Sequence, residues 1–356
     1  MASAAYEHSA FVNCPFDDEY KELSDAIRSD IATRNSFLIS QGKILPLSAS
    51  ATRVRGLLSF LRPLSLVSAV ITTCVRPQHV YEALASVWAE TYRDVECLVV
   101  DDGGTFDASG IRSDRDARVL RSDNRGVAHA RNVGLAAARG EFVIFLDDDD
   151  VALPNRISTL VDAVKRHRAD LCFGMTRRVC APSTAVLPSV PTHVLSFGAV
   201  GFCDVMTCAP HINAVLVRTA ALRAVGGFDV EAAHFDDWSA WLRLADQKVG
   251  MGCVPDIVAE WRIHGAGLSS AVLHIRAMKA RLLALFDRLE TQFTEESARA
   301  IAAARRVVTS REVVTYDDYA EAMGAAREIL HADGRCLGRR LTSHEAWRGS
   351  VVAEAR

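Results

Sequence analysis

Two hydrophobic rhythms alternate along the chain from Leu66 to about Arg168. Short apolar runs, many of them β-branched, read as buried strands: Leu66–Thr73 (LVSAVITT), Asp94–Asp102 (DVECLVVDD), Ala117–Asp123 (ARVLRSD), Glu141–Leu146 (EFVIFL) and Ala169–Met175 (ADLCFGM). Between them lie stretches with helical spacing: Val80–Glu90, Gly126–Gly140 and Pro154–Arg168. The first strand is closed by Arg76-Pro77 and the second by Gly103-Gly104. Gly140 reads as a helix C-cap, and Pro154 lies near a first helical turn. Strands alternating with helices at this spacing predict an α/β fold, an open and mostly parallel sheet flanked by helices.

Past Cys180 the rhythm loosens. Pro188–Val200 (PSVPTHVLSFGAV) reads as loop, His211–Arg218 (HINAVLVR) as strand, Asp236–Asp246 (DDWSAWLRLAD) as helix and Ile257–His264 (IVAEWRIH) as one more strand. From about Ser269 the pattern is helical, with Ile275, Met278, Leu282, Leu285, Phe286 and Leu289 on one apolar stripe. Thr315 with Asp318 forms a capping pattern for a later helix. The chain therefore divides into an N-terminal extension (1–64), an α/β catalytic domain (65–268) and a C-terminal helical region (269–356). Within the extension, Phe11–Ile31 has the pattern of a short strand and a helix.

Composition narrows the class. The 356 residues are 49% hydrophobic and 24% charged with a net charge of -3, so no basic field points to nucleic acid. No apolar run reaches the roughly 20 residues of a membrane span, and the first twenty residues lack the pattern of a secretory signal. The nine cysteines are scattered without a C-x-x-C pair, and Cys203 with Cys208 lacks a second pair to complete a zinc site. The odd count fits a reducing cytoplasm.

The chemistry gathers at strand ends. One strand ends in Asp101-Asp102 and another in Asp147–Asp150, four unbroken aspartates with no basic residue after them until Arg156. Ligands of an open α/β sheet bind beyond the carboxyl ends of its strands, so both clusters belong to one edge. Carboxylates crowded there raise one another's pKa unless a cation compensates. A hard divalent ion, Mg²⁺ or Mn²⁺, does so through one or two carboxylates and substrate phosphates. The alternative is a solvated acidic turn before a helix. Neither a G-x-G-x-x-G after the first strand nor a G-x-x-x-x-G-K-[ST] is present, which disfavours a dinucleotide site and a P-loop.

Five motifs in order, VSAVITTCVRP (67–77), VECLVVDDGG (95–104), DNRGVAHARNVGLAAARGEFVIFLDDDD (123–150), VGGFD (225–229) and FDDWSAWLRLAD (235–246), resemble family 2 glycosyltransferases of the GT-A fold. The resemblance covers about Leu66–His264. It implies a nucleotide-diphosphate-sugar donor, a UDP-sugar in preference, a divalent cation and inverting transfer to an acceptor hydroxyl. By that resemblance Thr73 and Asp102 face the nucleoside and Arg131 the donor. Asp147-Asp148-Asp149 takes the D-x-D position, with Asp149 on the metal, Asp147 on the ribose or the metal, and Asp148 in the variable middle place. Asp237 falls on the general base beside Asp236, Trp238 on an acceptor-sugar platform, and His264 on a third metal ligand. The structural alternatives are a strand-end hydroxyl for Thr73, a surface arginine for Arg131, a helix cap for Asp236-Asp237 and core packing for Trp241. Gly226–Asp229 reads as a tight turn on the acceptor side, with glycine supplying positive φ.

The chain departs from the family in three places. Cys74-Val75 stands where the first strand usually ends in tyrosine-asparagine, removing an aromatic from the base side. Asp236-Asp237 replaces a Glu-Asp pair, and there is no Q-x-x-R-W, which disfavours a processive membrane synthase. The expectation is a cytoplasmic enzyme of polysaccharide, glycolipid or natural-product biosynthesis, with peripheral membrane contact and homo-oligomerisation left open. Two other functions compete: a non-catalytic sugar-nucleotide-binding protein, against which Asp147, Asp149 and Asp237 are all retained, and a sugar nucleotidyltransferase, whose glycine-rich basic loop is missing.

Overall fold

The computed structural model describes the backbone of residues 37–40 and 43–46, then residues 65–74, 76–104, 106–111, 117–180, 186–187, 196–232, 234–264, 272–311, 316–332 and 339–340. The chain divides into two compact units, Met1–Leu64 and Ser65–Arg356. In the first, Phe37–Ser40 and Lys43–Pro46 pair antiparallel as a hairpin. The strand and helix expected over 11–31 lie outside the described residues.

The second unit is built on an 11-stranded mixed sheet. Its first half is β1 (Val67–Thr73), α1 (Pro77–Trp88), β2 (Val95–Asp101), β3 (Ala117–Arg121), α2 (Val127–Ala137), β4 (Phe142–Asp147), β5 (Val151–Ala152), α3 (Arg156–His167) and β6 (Leu171–Cys180). There follow β7 (Val186–Leu187), β8 (Ser196–Val200), α4 (Phe202–Cys208), β9 (Val215–Arg218), α5 (Thr219–Ala224), α6 (Asp236–Asp246) and β10 (Met251–Ile263). The last elements are α7 (Val272–Gln292), α8 (Glu295–Ser310), α9 (Tyr316–Ala332) and β11 (Arg339–Arg340). The order across the sheet is β11-β8-β10-β6-β9-β4-β1-β2-β3, with β5 on β10 and β7 on β6. β4, β1, β2 and β3 run parallel, as does β10 beside β6, while β9 is antiparallel to both its neighbours.

Successive residues of a strand face opposite sides of its sheet, which explains the unbroken apolar runs. Val67, Ala69 and Ile71 join Ile144, Leu146 and the apolar faces of α1 and α3 in one core. Val70, Val100, Val143 and Phe145 join α2, α6 and the C-terminal helices in the other. Leu282, Leu285, Phe286 and Leu289 are buried there, and the rings of Phe286 and Trp238 meet at 5.9 Å. The side chains of Ile275 and Met278, and Thr315 of the expected cap, lie outside the described residues. A buried ion pair, Arg327 to Asp204 at 3.0 Å, joins α9 to α4.

Two expectations are corrected. Ser196–Val200 is not loop but a strand, paired antiparallel with β10 through Gly198 and Cys253. That pairing joins residues 55 apart by number (253 minus 198), and a local pattern carries no trace of it. Helix α4, directly after it, was also not anticipated. Gly140 is not a left-handed cap; α2 ends at Ala138 in an extended conformation. A Cβ at Gly140 would lie 2.6 Å from the Ser68 nitrogen and 2.7 Å from the Leu66 oxygen, so glycine is required by the close approach of β1. The turn at Gly226-Gly227 is as expected, with φ of 83° and 70°.

Candidate functional site

Parallel register decides which strand ends meet. Thr72 pairs with Asp147, and Thr73 with Asp101. Thr73, Asp102 and the aspartate run therefore share the carboxyl edge of three adjacent strands. Each carboxylate there has a different set of partners.

Asp102, buried, accepts hydrogen bonds from the backbone N–H of Arg125 (3.2 Å) and Gly126 (2.8 Å), anchoring the entry to α2. A carboxylate has about four acceptor sites, so these two bonds leave capacity for a ligand N–H. Its neighbour Asp101 is consumed locally, accepting from Phe106 N–H at 2.7 Å and pairing with Arg121.

The aspartate run splits between two arginines. Asp147 accepts from Arg131 at 2.8 Å. Burial alone would raise its pKa, but Arg131 overrides burial and holds it below the ordinary carboxylate range. Asp148 is buried and accepts from Thr73 Oγ1 (2.7 Å) and Arg76 (2.9 Å). Burial still leaves its pKa raised. Asp149 accepts from Arg76 Nη1 at 2.6 Å and lies 2.9 Å from His264 Nε2. Asp150 turns inward, accepting from Arg262 N–H at 2.6 Å and from Asn213 Nδ2. Burial, then Asp147 and Asp149, push its pKa well up. Asp150 thus ties the run to the end of β10 and stands apart from any ligand role.

Arg131, 5% exposed, also donates to Asp236 at 2.7 Å. It therefore joins the end of β4 to the start of α6, where Asp237 lies. Burial first, and Asp236 second, raise the Asp237 pKa to about 7 against the pull of Arg131. Trp238 is corrected. The residue is 2% exposed, its Nε1 donates to Val205 O at 2.9 Å, and it offers no face to an acceptor. Trp241 is likewise buried, donating to Pro210 O.

Three residues of the site were not singled out from sequence. Arg76 neutralises Asp148 and Asp149. Asn213 accepts from Asp147 N–H through Oδ1 and donates to Asp150 through Nδ2, clamping both ends of the run. His211 packs against Trp261 at 4.9 Å, and burial lowers its pKa to about 4, so it is neutral at pH 7. Their partners are distant in sequence, and nothing in the local pattern marks them.

Two of the expected metal ligands, Asp149 and His264, lie side by side within hydrogen-bond distance. Adjacent ligands of an octahedral ion at about 2.1 Å lie about 3 Å apart, and Asp149 Oδ2 is 2.9 Å from His264 Nε2. A carboxylate and an imidazole suit Mn²⁺ better than Mg²⁺, which prefers oxygen alone. Among the described residues no three His, Cys, Asp or Glu side chains converge as a complete cage. Asp147 is engaged by Arg131 and is not brought to His264.

Residues 68–189 match Glycosyl transferase family 2. Glycosyltransferase GlyG of Streptococcus pneumoniae is 34% identical over 115 residues, 31% of this chain and 38% of that protein. An uncharacterized glycosyltransferase of Rickettsia felis is 37% identical over 203 residues, 56% of this chain and 33% of its own. The chain thus spans about a third of the length of these two relatives. The Escherichia coli UDP-Glc:alpha-D-GlcNAc-diphosphoundecaprenol beta-1,3-glucosyltransferase WfaP is 24% identical, over 58% of this chain and 81% of that protein. S. aureus TarS 1-349, solved in complex with UDP-GlcNAc, superposes with a TM-score of 0.56 at 18% identity, covering 68% of this chain and 72% of that one. The fold is GT-A-like.

Proposed function

We propose that this chain, which carries a glycosyl transferase family 2 domain at residues 68–189, moves a sugar from a nucleotide-diphosphate donor to an acceptor hydroxyl with inversion. The observation that carries the reading is the Arg131 bridge. It joins Asp147 of the D-x-D run to Asp236, at 2.8 and 2.7 Å, and so holds the donor acids and the candidate base as one constellation. A turn of four aspartates serving only to cap α3 would have no reason to be tied to a helix some ninety residues away.

Each residue then has a task. Asp102 receives a ring N–H of the base. Asp147, held ionised by Arg131, receives the ribose. Asp149 and His264 hold the divalent ion. When bound, that ion supplies Lewis-acid stabilisation of the departing diphosphate. Asp237 takes the acceptor proton as the hydroxyl attacks the anomeric carbon from the face opposite the nucleotide. A pKa near 7 suits this step, because a base works best when its pKa lies near the working pH. Asp236 keeps Arg131 in place, and among the described residues Asp237 has no ion pair of its own. The acceptor hydroxyl belongs to a glycan, a glycolipid or a natural product. A UDP-sugar is the favoured donor, in keeping with the relative WfaP, whose name carries UDP-Glc, and with the structural neighbour TarS, solved in complex with UDP-GlcNAc.

The test is a thermal-shift panel of UDP-, GDP- and dTDP-sugars with and without Mn²⁺. A ligand that binds the native state raises stability by RT ln(1 + [L]/Kd). One nucleotide should stabilise, more strongly with Mn²⁺, and the Asp149→Ala variant should lose the Mn²⁺ increment. Absence of any shift across the panel would sink the donor assignment.

A further inference from the structure

Arg76 sits between the acids of the run and the entry to α1. It stands directly before Pro77, at the junction of β1 and α1. Its Nη2 is 2.9 Å from Asp148 and its Nη1 is 2.6 Å from Asp149 Oδ2. The same Nη1 lies 3.5 Å from His264 Nε2. Asp149 Oδ2 and His264 Nε2 are the two atoms whose 2.9 Å spacing suits adjacent metal ligands. The guanidinium and a divalent ion therefore call on one oxygen. An ion about 2.1 Å from that oxygen would sit against Nη1, and two cations at such a separation repel one another.

Charge decides what each state of the site permits. Arg131 is committed to Asp147 and Asp236, so Arg76 is the cation facing Asp148 and Asp149 among the described residues. Adding a divalent ion without an anion would leave Arg76 beside it with its carboxylate taken. Adding a diphosphate with the ion supplies the missing negative charge. It also supplies oxygens that match the guanidinium fork in bidentate geometry. The backbone before a proline is restricted, so the movement belongs to the long side chain and not to the strand end.

We propose that Arg76 is the resident cation of the nucleotide-free site, and that it releases Asp149 and turns onto the diphosphate when donor and metal arrive together. This rests on the donor and metal assignment above. Its consequence is coupling: the nucleotide enables metal binding, and by reciprocity the metal strengthens nucleotide binding. Free Mn²⁺ binds poorly while Arg76 holds the carboxylates.

The experiment is a Mn²⁺ titration of the full chain followed by electron paramagnetic resonance, with and without UDP. Wild type, Arg76→Gln, Arg76→Lys and Asp149→Ala are compared. In wild type, UDP should tighten Mn²⁺ binding by a factor in the range of about 5–150 that such couplings span. In Arg76→Gln, Mn²⁺ should bind without UDP more tightly than in wild type by a similar factor, and the UDP effect should shrink. Arg76→Lys, which keeps the charge but not the fork, should retain the exclusion of free Mn²⁺ and lose part of the UDP effect. Nucleotide-free Mn²⁺ affinity in Arg76→Gln equal to or below that of wild type overturns the proposal, provided wild type binds Mn²⁺ with UDP and Asp149→Ala does not. If no variant binds Mn²⁺ even with UDP, the metal assignment fails, and this proposal falls with it.

Discussion

At the scale of the residue, Asp237 has the most exposed consequences. Its pKa is raised to about 7, with burial the larger cause and Asp236 the second. As a base it must be ionised, so kcat/KM should rise as pH increases through about 7 and level off above it. Asp237→Asn should flatten that limb and lower turnover by about 10²-fold or more, with donor affinity kept. Arg131→Met removes the cation that lowers the Asp237 pKa, so the limb should move to higher pH. A merely structural arginine would lower activity without moving the limb. Linkage fixes a second sign. The folded state binds the Asp237 proton more tightly than the unfolded chain does. Between the ordinary aspartate value of 3.8 and about 7 the folded state therefore carries more protons, and its stability falls as pH rises. Asp237→Asn lacks that fall. Its melting temperature relative to wild type should be higher at pH 8 than at pH 5, and an unchanged difference would mean that Asp237 is not perturbed.

At the scale of the element, the strands and helices of residues 66–168 were legible because each is a contiguous run with its own period. The carboxyl-edge argument placed Asp102 and Asp147–Asp149 together, since parallel register follows from strand order. What was not legible depends on contacts across the fold. Ser196–Val200 became a strand through β10, Asn213 clamps a run more than sixty residues away, and Arg76 gained its role from aspartates on another strand. Trp238 shows the opposite failure. The motif suggested a sugar platform, but its place in the first turn of α6 directs the ring into the core against Phe286. Gly140 reads as a cap in the sequence, whereas its constraint in the fold is crowding from β1. Gly140→Ala should therefore destabilise by about 1–3 kcal/mol, the usual cost of overpacking, as read by urea unfolding. A cap of the left-handed kind would instead be rescued by Gly140→Asn, and that variant should be worse than alanine.

At the scale of the whole molecule, the question is how the C-terminal helices bear on the site. They share the α6 side of the core, and Asp204 is the polar joint between them and α4. Arg327 donates to Asp204 Oδ1 at 3.0 Å and to Thr207 Oγ1 at 3.2 Å, and the ion-paired side chains are 3% and 1% exposed. Asp204 Oδ2 also accepts from Gly201 N–H at 3.0 Å, closing the first turn of α4. The next residue along, Val205, accepts the Trp238 indole. The path from α9 to the helix that carries Asp237 is thus two hydrogen bonds joined by the Asp204–Val205 peptide bond. Removing one partner of a buried pair strands the other charge, at a cost of about 3–5 kcal/mol. Arg327→Met should show that loss in equilibrium unfolding. Replacing both, with Arg327→Met and Asp204→Leu, removes the stranded charge but also the bond to Gly201. Recovery should therefore be partial, whereas Arg327→Met with Asp204→Asn, which keeps an acceptor for Gly201, should recover more. Equal stability of the two double variants would show that the Gly201 bond contributes nothing and that the pair alone anchors the C-terminal helices.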